Sequence, residues 1–251
     1  MADPSLVAAH PDVGHQLDAR GSQRARLVEG MIQAVAEKGY AAATVADVVR
    51  AGRVSRGTFY AQFASKEECF LEAYKYGIDV IVERIRAAIR AEQGDWVARL
   101  RTGLRSYLET LAGEPRFART HLFEVHLAGP RAGAERDAAL RAFADRYRSS
   151  FRAALREREE ENAKAGGRRA SLRERPELRM PSDDALFILS AGVDQLVCAR
   201  VRAGALAQLP DLTDELTLTA VAFLEGAAQV PFPASRGFAA AIDPTTPEGA
   251  S

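Results

Sequence analysis

Between residues 55 and 66 the chain groups side chains suited to one chemistry, contact with a charged polymer that also offers hydrogen-bonding edges. Ser55, Thr58 and Tyr60 carry hydroxyls that suit phosphate oxygens, and Arg56 and Gln62 can hydrogen-bond base edges. Gly57 and Ala61 are small enough to let the backbone approach closely. Phe59 and Phe63 sit four residues apart, so on a helix they share one inward face and leave the polar set mostly on the other. The major groove of a duplex is wide enough to admit such a helix.

The flanking residues are those needed to position it. Thr44 can cap a short helix whose Val45, Val48 and Val49 fall at helical spacing, Gly52 breaks that helix, and Ser55 caps the next. The layout predicts a helix-turn-helix. Ser65, with Glu68 three residues on, predicts a capping box, and Lys66 falls in the first turn of that following helix, aimed at phosphate. Upstream, Leu27, Met31 and Val35 beside Val28 and Ile32 form a broad apolar stripe on a helix that ends at Gly39 and must pack on the two short ones.

The run from Val54 to Phe70, Val-Ser-Arg-Gly-Thr-Phe-Tyr-Ala-Gln-Phe-Ala-Ser-Lys-Glu-Glu-Cys-Phe, resembles the signature of the TetR (TetR/AcrR) family of transcriptional regulators. The resemblance extends through Arg26 to Tyr40 and covers roughly residues 24 to 74. It implies that Thr44, Ser55, Thr58, Tyr60 and Lys66 touch the DNA backbone, and that Arg56, Gly57 and Gln62 lie where bases are read. One departure stands in the turn: the family's glycine before the valine is Arg53 here, with Gly52 one position earlier. Either Gly52 supplies a positive φ or Arg53 adopts it, and Arg53 could then add a phosphate contact.

Composition sets the outer bounds. The 251 residues carry 34 basic and 34 acidic side chains, and are 47% hydrophobic with two cysteines. That size permits one or two domains with a real core. The segment from Arg20 to Tyr76 is locally basic, nine Arg or Lys against six Asp or Glu, which concentrates positive field where phosphates would lie. No apolar run reaches the roughly 18 residues of a membrane span, and the first residues lack a secretory pattern, so the expected location is the cytoplasm. Cys69 and Cys198 form no Cys-x-x-Cys pair, and His121 and His126 point roughly 140° apart on a helix, so no metal and no cofactor is expected. No phosphate loop, nucleophile elbow or zinc-hydrolase motif appears, and the expectation is a protein that is not an enzyme. A helical homodimeric interaction protein and a small helical enzyme are the alternatives.

The expected fold is all-α: an N-terminal three-helix helix-turn-helix DNA-binding domain at 20–76 and a C-terminal helical ligand-binding and dimerisation domain at 77–229. Residues 1–19 read as a flexible tail, from which Arg20 and Arg24 could extend as a minor-groove arm. Residues 164–181 read as a mobile loop and 230–251 as a disordered tail. A helix from about 65 to 92 joins the two domains. Beyond it, Trp96, Tyr107, Phe117, Phe143 and Tyr147 suit either a core or a ligand pocket, and His121, Glu124, Asp194 and Gln195 are polar groups that could orient a ligand or satisfy a structural hydrogen bond. Two late helices are apolar on more than one face, which predicts self-association through Leu189, Val193, Leu196, Val197, Leu216, Phe223 and Leu224. The family resemblance implies the same dimer, a double-stranded pseudo-palindromic operator, a small-molecule effector that releases it, and repression as the usual outcome.

Overall fold

The computed structural model describes residues 23–164 and 179–229, and all regular structure in them is helical. Arg20, the 1–19 and 230–251 tails and most of the 164–181 loop lie outside the described residues. The order is α1 (Gln23–Lys38), α2 (Val45–Ala51), α3 (Arg56–Gln62), α4 (Lys66–Ala91), α5 (Trp96–Gly113), α6 (Pro115–Leu122), α7 (Pro130–Lys164), α8 (Asp183–Arg202) and α9 (Thr213–Gln229), with 3-10 turns at Glu124–Leu127 and Leu206–Leu212.

Local capping explains the short helices. Thr44 Oγ1 accepts the Asp47 N–H at 3.2 Å while Asp47 Oδ2 accepts the Thr44 N–H at 3.1 Å, a reciprocal box that starts α2. Asp47 also receives Lys38 Nζ at 2.6 Å, and that bond, with those from Thr44, holds its carboxyl well below the usual carboxylate range. Ser65 caps α4 by accepting the Glu68 N–H at 3.1 Å, but only half of the expected box forms. Glu68 Oε2 turns back to the Ala64 N–H at 2.7 Å, one residue before the cap. Asp95 and Ser182 cap α5 and α8 in the same way, and Pro115 opens α6.

The turn between α2 and α3 resolves the glycine question. Arg53 takes the positive φ, +52°, and Gly52 is right-handed at −75°. Gly52 serves close approach instead: a Cβ there would stand 2.5 Å from the Arg26 carbonyl oxygen, and one on Gly30 would stand 2.5 Å from that of Val48. These two glycines let α1 and α2 touch backbone to backbone, which seats the helix-turn-helix on its support.

Two apolar clusters meet along α4. The first gathers Leu27, Met31, Val35, Val48, Phe59, Phe63, Phe70 and Tyr74 around α1–α3, and also takes in Val125, Ala128, Ala132 and Ala139. The second runs from Ile81 through α5, α6, α7, α8 and α9. The head is therefore roofed by residues of the 3-10 turn and of α7 as well as joined through α4. Helix α4, at 26 residues, is about 39 Å long. The segment after Pro115 breaks at Phe123 into a 3-10 turn, α7 runs on to Lys164, and a 3-10 turn with Pro210 precedes α9.

The residues expected to pair two protomers mostly fill the protomer's own core. Leu189, Val193, Val197, Leu216 and Leu224 are buried, and only Leu196 and Phe223 are half-buried. What α8 and α9 leave exposed is a different set. Ile188, Gly192, Gln195 and Ala199 recur at spacing four, three and four on α8, and Leu218, Ala222 and Gly226 every four residues on α9. Ile188 is 61% and Leu218 71% exposed. Among the described residues no helix is long and apolar enough to cross a membrane.

Candidate nucleic-acid interface and ligand cavity

Helix α3 is held from below and bare above. Phe59 and Phe63 are fully buried, their rings 5.8 Å apart, while Ser55, Arg56, Gly57, Tyr60 and Ala61 are exposed and Thr58 and Gln62 half-exposed. Ser55 Oγ accepts the Thr58 N–H at 3.0 Å and lies 2.9 Å from the Thr58 hydroxyl, so capping fixes where both hydroxyls stand. Tyr60, 58% exposed, leans its ring edge-on against Phe59 at 5.3 Å. A Cβ on Gly57 would meet only Ser55 Oγ, at 3.6 Å. Nothing in the protomer requires glycine there, and the open backbone is free for a close-lying surface. Arg53 is exposed beside this face at the left-handed turn. Thr44 is exposed as well, with its hydroxyl donated to Asp47 at 2.8 Å.

Two expected contacts have internal partners. Lys66 Nζ donates to the carbonyls of Tyr40 at 2.8 Å and Ala43 at 3.0 Å and sits 4.2 Å above the Tyr40 ring. It ties the turn between α1 and α2 to α4, which leaves one N–H for a phosphate, and its partial burial lowers its pKa. Arg24 is no free arm. Its guanidinium pairs with Glu72, donates to the Gln62 carbonyl at 2.7 Å and covers the Phe63 ring at 4.3 Å, so it clamps the end of α3 onto α4.

A narrow slot with a cavity volume of about 60 Å³ lies between α4, α5, α7 and α8. Ile85, Ile89, Leu100, Leu104, Leu140 and Val193 form apolar walls, and Tyr107, Phe143, Tyr147 and Asp194 line it as well. Burial pushes the Tyr107 and Tyr147 hydroxyls far above the usual phenol range, with no hydrogen bond opposing it. Asp194 is paired with Arg136, yet burial still raises its carboxyl.

Five other candidates fall outside the slot. Trp96 packs edge-on to Phe151 at 5.9 Å, and Gln195 is exposed on the outer side of α8. Phe117 lies against the His121 ring at 3.8 Å. The His121 ring nitrogens stand 3.0 Å from the Phe117 carbonyl and 3.2 Å from that of Tyr74, and burial pushes its pKa down to about 4. Glu124, only 4% exposed, accepts the Tyr40 N–H at 2.7 Å and Arg119 Nε at 3.3 Å. His121 and Glu124 thus join the α6 region to the head. Sequence reasoning missed Arg146, Ser150 and Ser190 as lining residues. Arg146 and Ser150 share α7 with Phe143 and Tyr147, but as polar side chains in a strongly charged stretch they gave no sign of facing inward, while Ser190 gave a weak signal as a hydroxyl inside an apolar helix. It donates to the Leu140 carbonyl at 2.9 Å.

Glu124→Ala should strand the buried Tyr40 N–H and cost about 1–3 kcal/mol in urea unfolding, whereas Glu124→Gln, which keeps an acceptor, should recover most of it. Equal stability of wild type and Glu124→Ala would show that the contact contributes nothing. Cys69 and Cys198 are buried, their thiols pushed up to about 12 and about 11 by burial, which makes them unreactive. Among the described residues no three His, Cys, Asp or Glu side chains converge as a metal site.

Comparison with known proteins bears on both regions. Residues 28–73 match the family described as bacterial regulatory proteins, tetR family. Among solved structures, the fatty acid degradation regulator FadR of Bacillus halodurans superposes with a TM-score of 0.59 at 18% identity, covering 78% of this chain and 97% of its own. The regulator FadR of Bacillus subtilis, in complex with stearoyl-CoA, gives 0.59 at 16%, covering 80% and 98%. A transcriptional regulator from Rhodococcus sp. Rha1 gives 0.59 at 21%, covering 84% and 100%. These likenesses establish the fold of such regulators. No curated protein matches the chain in sequence.

Proposed function

We infer that this chain, whose residues 28–73 belong to the tetR family of bacterial regulatory proteins, is a dimeric, sequence-specific DNA-binding regulator of transcription. We assign the reading domain to 20–76 and the effector and dimer domain to 77–229. A small molecule in the slot releases the protein from a pseudo-palindromic operator, so that it acts as a cytoplasmic repressor. The observation that carries this reading is α3: two fully buried phenylalanines hold a face of Arg56, Gly57, Tyr60 and Ala61 out in the open.

A two-fold pair would present two such faces, and successive major grooves require them about 34–36 Å apart. Head spacing is then the variable a ligand can act on. Ile85 and Ile89 of the slot belong to α4, the same helix that begins directly after α3, so a ligand that moves α4 moves the head. Its affinity for DNA changes only by the ligand's preference for one spacing over the other. We assign backbone contacts to Ser55, Thr58, Tyr60, Thr44 and Arg53, base reading to Arg56 and Gln62, and to Lys66 at most one phosphate contact.

The test is titration of the purified protein against the DNA upstream of its own gene at several salt concentrations. Specific binding should weaken steeply with salt. Arg56→Ala and Gln62→Ala should each cost about 1–3 kcal/mol and relax preference at particular base pairs. Sequence-blind binding, or unchanged base preference in both variants, would overturn the assignment.

A further inference from the structure

We propose that the slot takes a single-chain amphiphile with an anionic head group, the head held by Arg146 and the chain lying along Ile85, Ile89, Leu104 and Phe143; this rests on the regulator reading above. Arg146 lines the slot, and its Nε is buried without a hydrogen-bond partner. Among the described residues its guanidinium has no ion pair. The two carboxylates that act on it are both engaged elsewhere, Asp145 with Arg148 at 3.3 Å and Glu83 on α4 with Arg86 at 3.2 Å and Arg90 at 2.7 Å. Burial first, and then the charge of Arg86, depress the Arg146 pKa, and the opposing pull of Asp145 and Glu83 does not offset them.

A buried donor on a charged group is costly to leave unpaired, and a guanidinium fork matches a carboxylate or phosphate through two parallel bonds. A neutral ligand would leave that demand unmet. A cationic one would find Asp194 as the slot's sole carboxylate, already paired with Arg136. The slot's narrowness suits one extended chain better than a fused ring system. Arg146 and Ser150 are half-exposed, whereas Tyr147, Leu104 and Val193 are buried, so the head would lie toward solvent and the chain toward the interior.

The experiment is calorimetric titration of the full-length protein with dodecanoate, dodecyl phosphate, dodecanol and dodecyltrimethylammonium below their micellar concentrations, alongside operator titrations. Both anions should bind one per protomer and roughly tenfold or more tighter than dodecanol, with the ammonium weakest. Arg146→Gln should lose about that factor for dodecanoate and leave dodecanol unchanged, and Arg146→Lys should keep part of it. Dodecanoate should lower operator affinity of the wild type and not of Arg146→Gln. Equal binding of the alcohol and the anions, or wild-type dodecanoate affinity in Arg146→Gln, would overturn the proposal. Should Arg146→Gln fail to fold, the head-group series on the wild type decides alone. Specific DNA binding with no amphiphile bound would sink this proposal and leave the regulator reading standing. Anion binding through Arg146 without specific DNA binding would do the reverse.

Discussion

Glutamate at both Ile188 and Leu218 is expected to leave the protein monomeric and to weaken operator binding by about a hundredfold to ten-thousandfold. These two side chains are the large apolar ones that α8 and α9 leave exposed, Leu218 in a row with the small Ala222 and Gly226 and Ile188 in a row with Gly192, Gln195 and Ala199. A Cβ on Gly192 or Gly226 would meet nothing within 4 Å, so nothing inside the protomer calls for glycine there. A second copy docked closely on the same face would. An isologous contact repeats each substitution across the two-fold, so the double variant buries four carboxylates against one another and the pair should separate. Because both positions are solvent-exposed, protomer stability should change by no more than about 0.5 kcal/mol. The readouts are sedimentation equilibrium for mass and an operator titration for affinity. Glutamate at the buried Leu189 or Val197 would instead unfold the protomer and say nothing about pairing. A variant that stays dimeric would move the interface elsewhere.

Helix α3 was legible because every step that defines it is local. Thr44, Ser55 and Ser65 each cap the residue three positions on, and Phe59 and Phe63 share a face by spacing alone. What was not legible depends on partners far along the chain. Arg24 reads as part of a minor-groove arm and Lys66 as a phosphate contact, yet their hydrogen bonds go to carbonyls 38, 26 and 23 residues away. Glu124 meets Tyr40 across 84 residues. Aromatics marked the slot only in part, since Tyr107 and Phe143 line it while Trp96 and Phe117, equally aromatic and equally amphipathic in context, close other layers. In α8 and α9 apolar residues occur nearly all round, so periodicity announces burial without saying which side meets its own protomer. The turn shows the limit from another side: Gly52 was needed for contact with α1, and the left-handed residue is its neighbour Arg53.

Gly77→Ala is expected to be strongly destabilising. A Cβ at Gly77 would stand 2.0 Å from His121 Nε2, 2.3 Å from its Cε1 and 2.7 Å from Phe117 Cε2. Neither ring can swing aside. His121 is only 5% exposed, stacked on Tyr74 at 5.1 Å, tilted against Phe117 at 3.8 Å, and held between two carbonyls. The methyl therefore has to push α6 off α4, at about 3–5 kcal/mol once overpacking and a lost buried hydrogen bond are combined. Urea unfolding reads that loss directly. If the clash is the cause, the double variant Gly77→Ala with His121→Ala should be less destabilised than the two single changes added together, because the second removes the ring that the first strikes. Gly77 lies just past Tyr74, and α6 leads straight into the turn whose Glu124 holds Tyr40, so the same shift should misplace the head. Operator affinity should accordingly fall in Gly77→Ala even where the protein is still folded, and return in part in the double variant. Wild-type stability in Gly77→Ala, or strict additivity in the double, would show that α4 and α6 are not locked at this point.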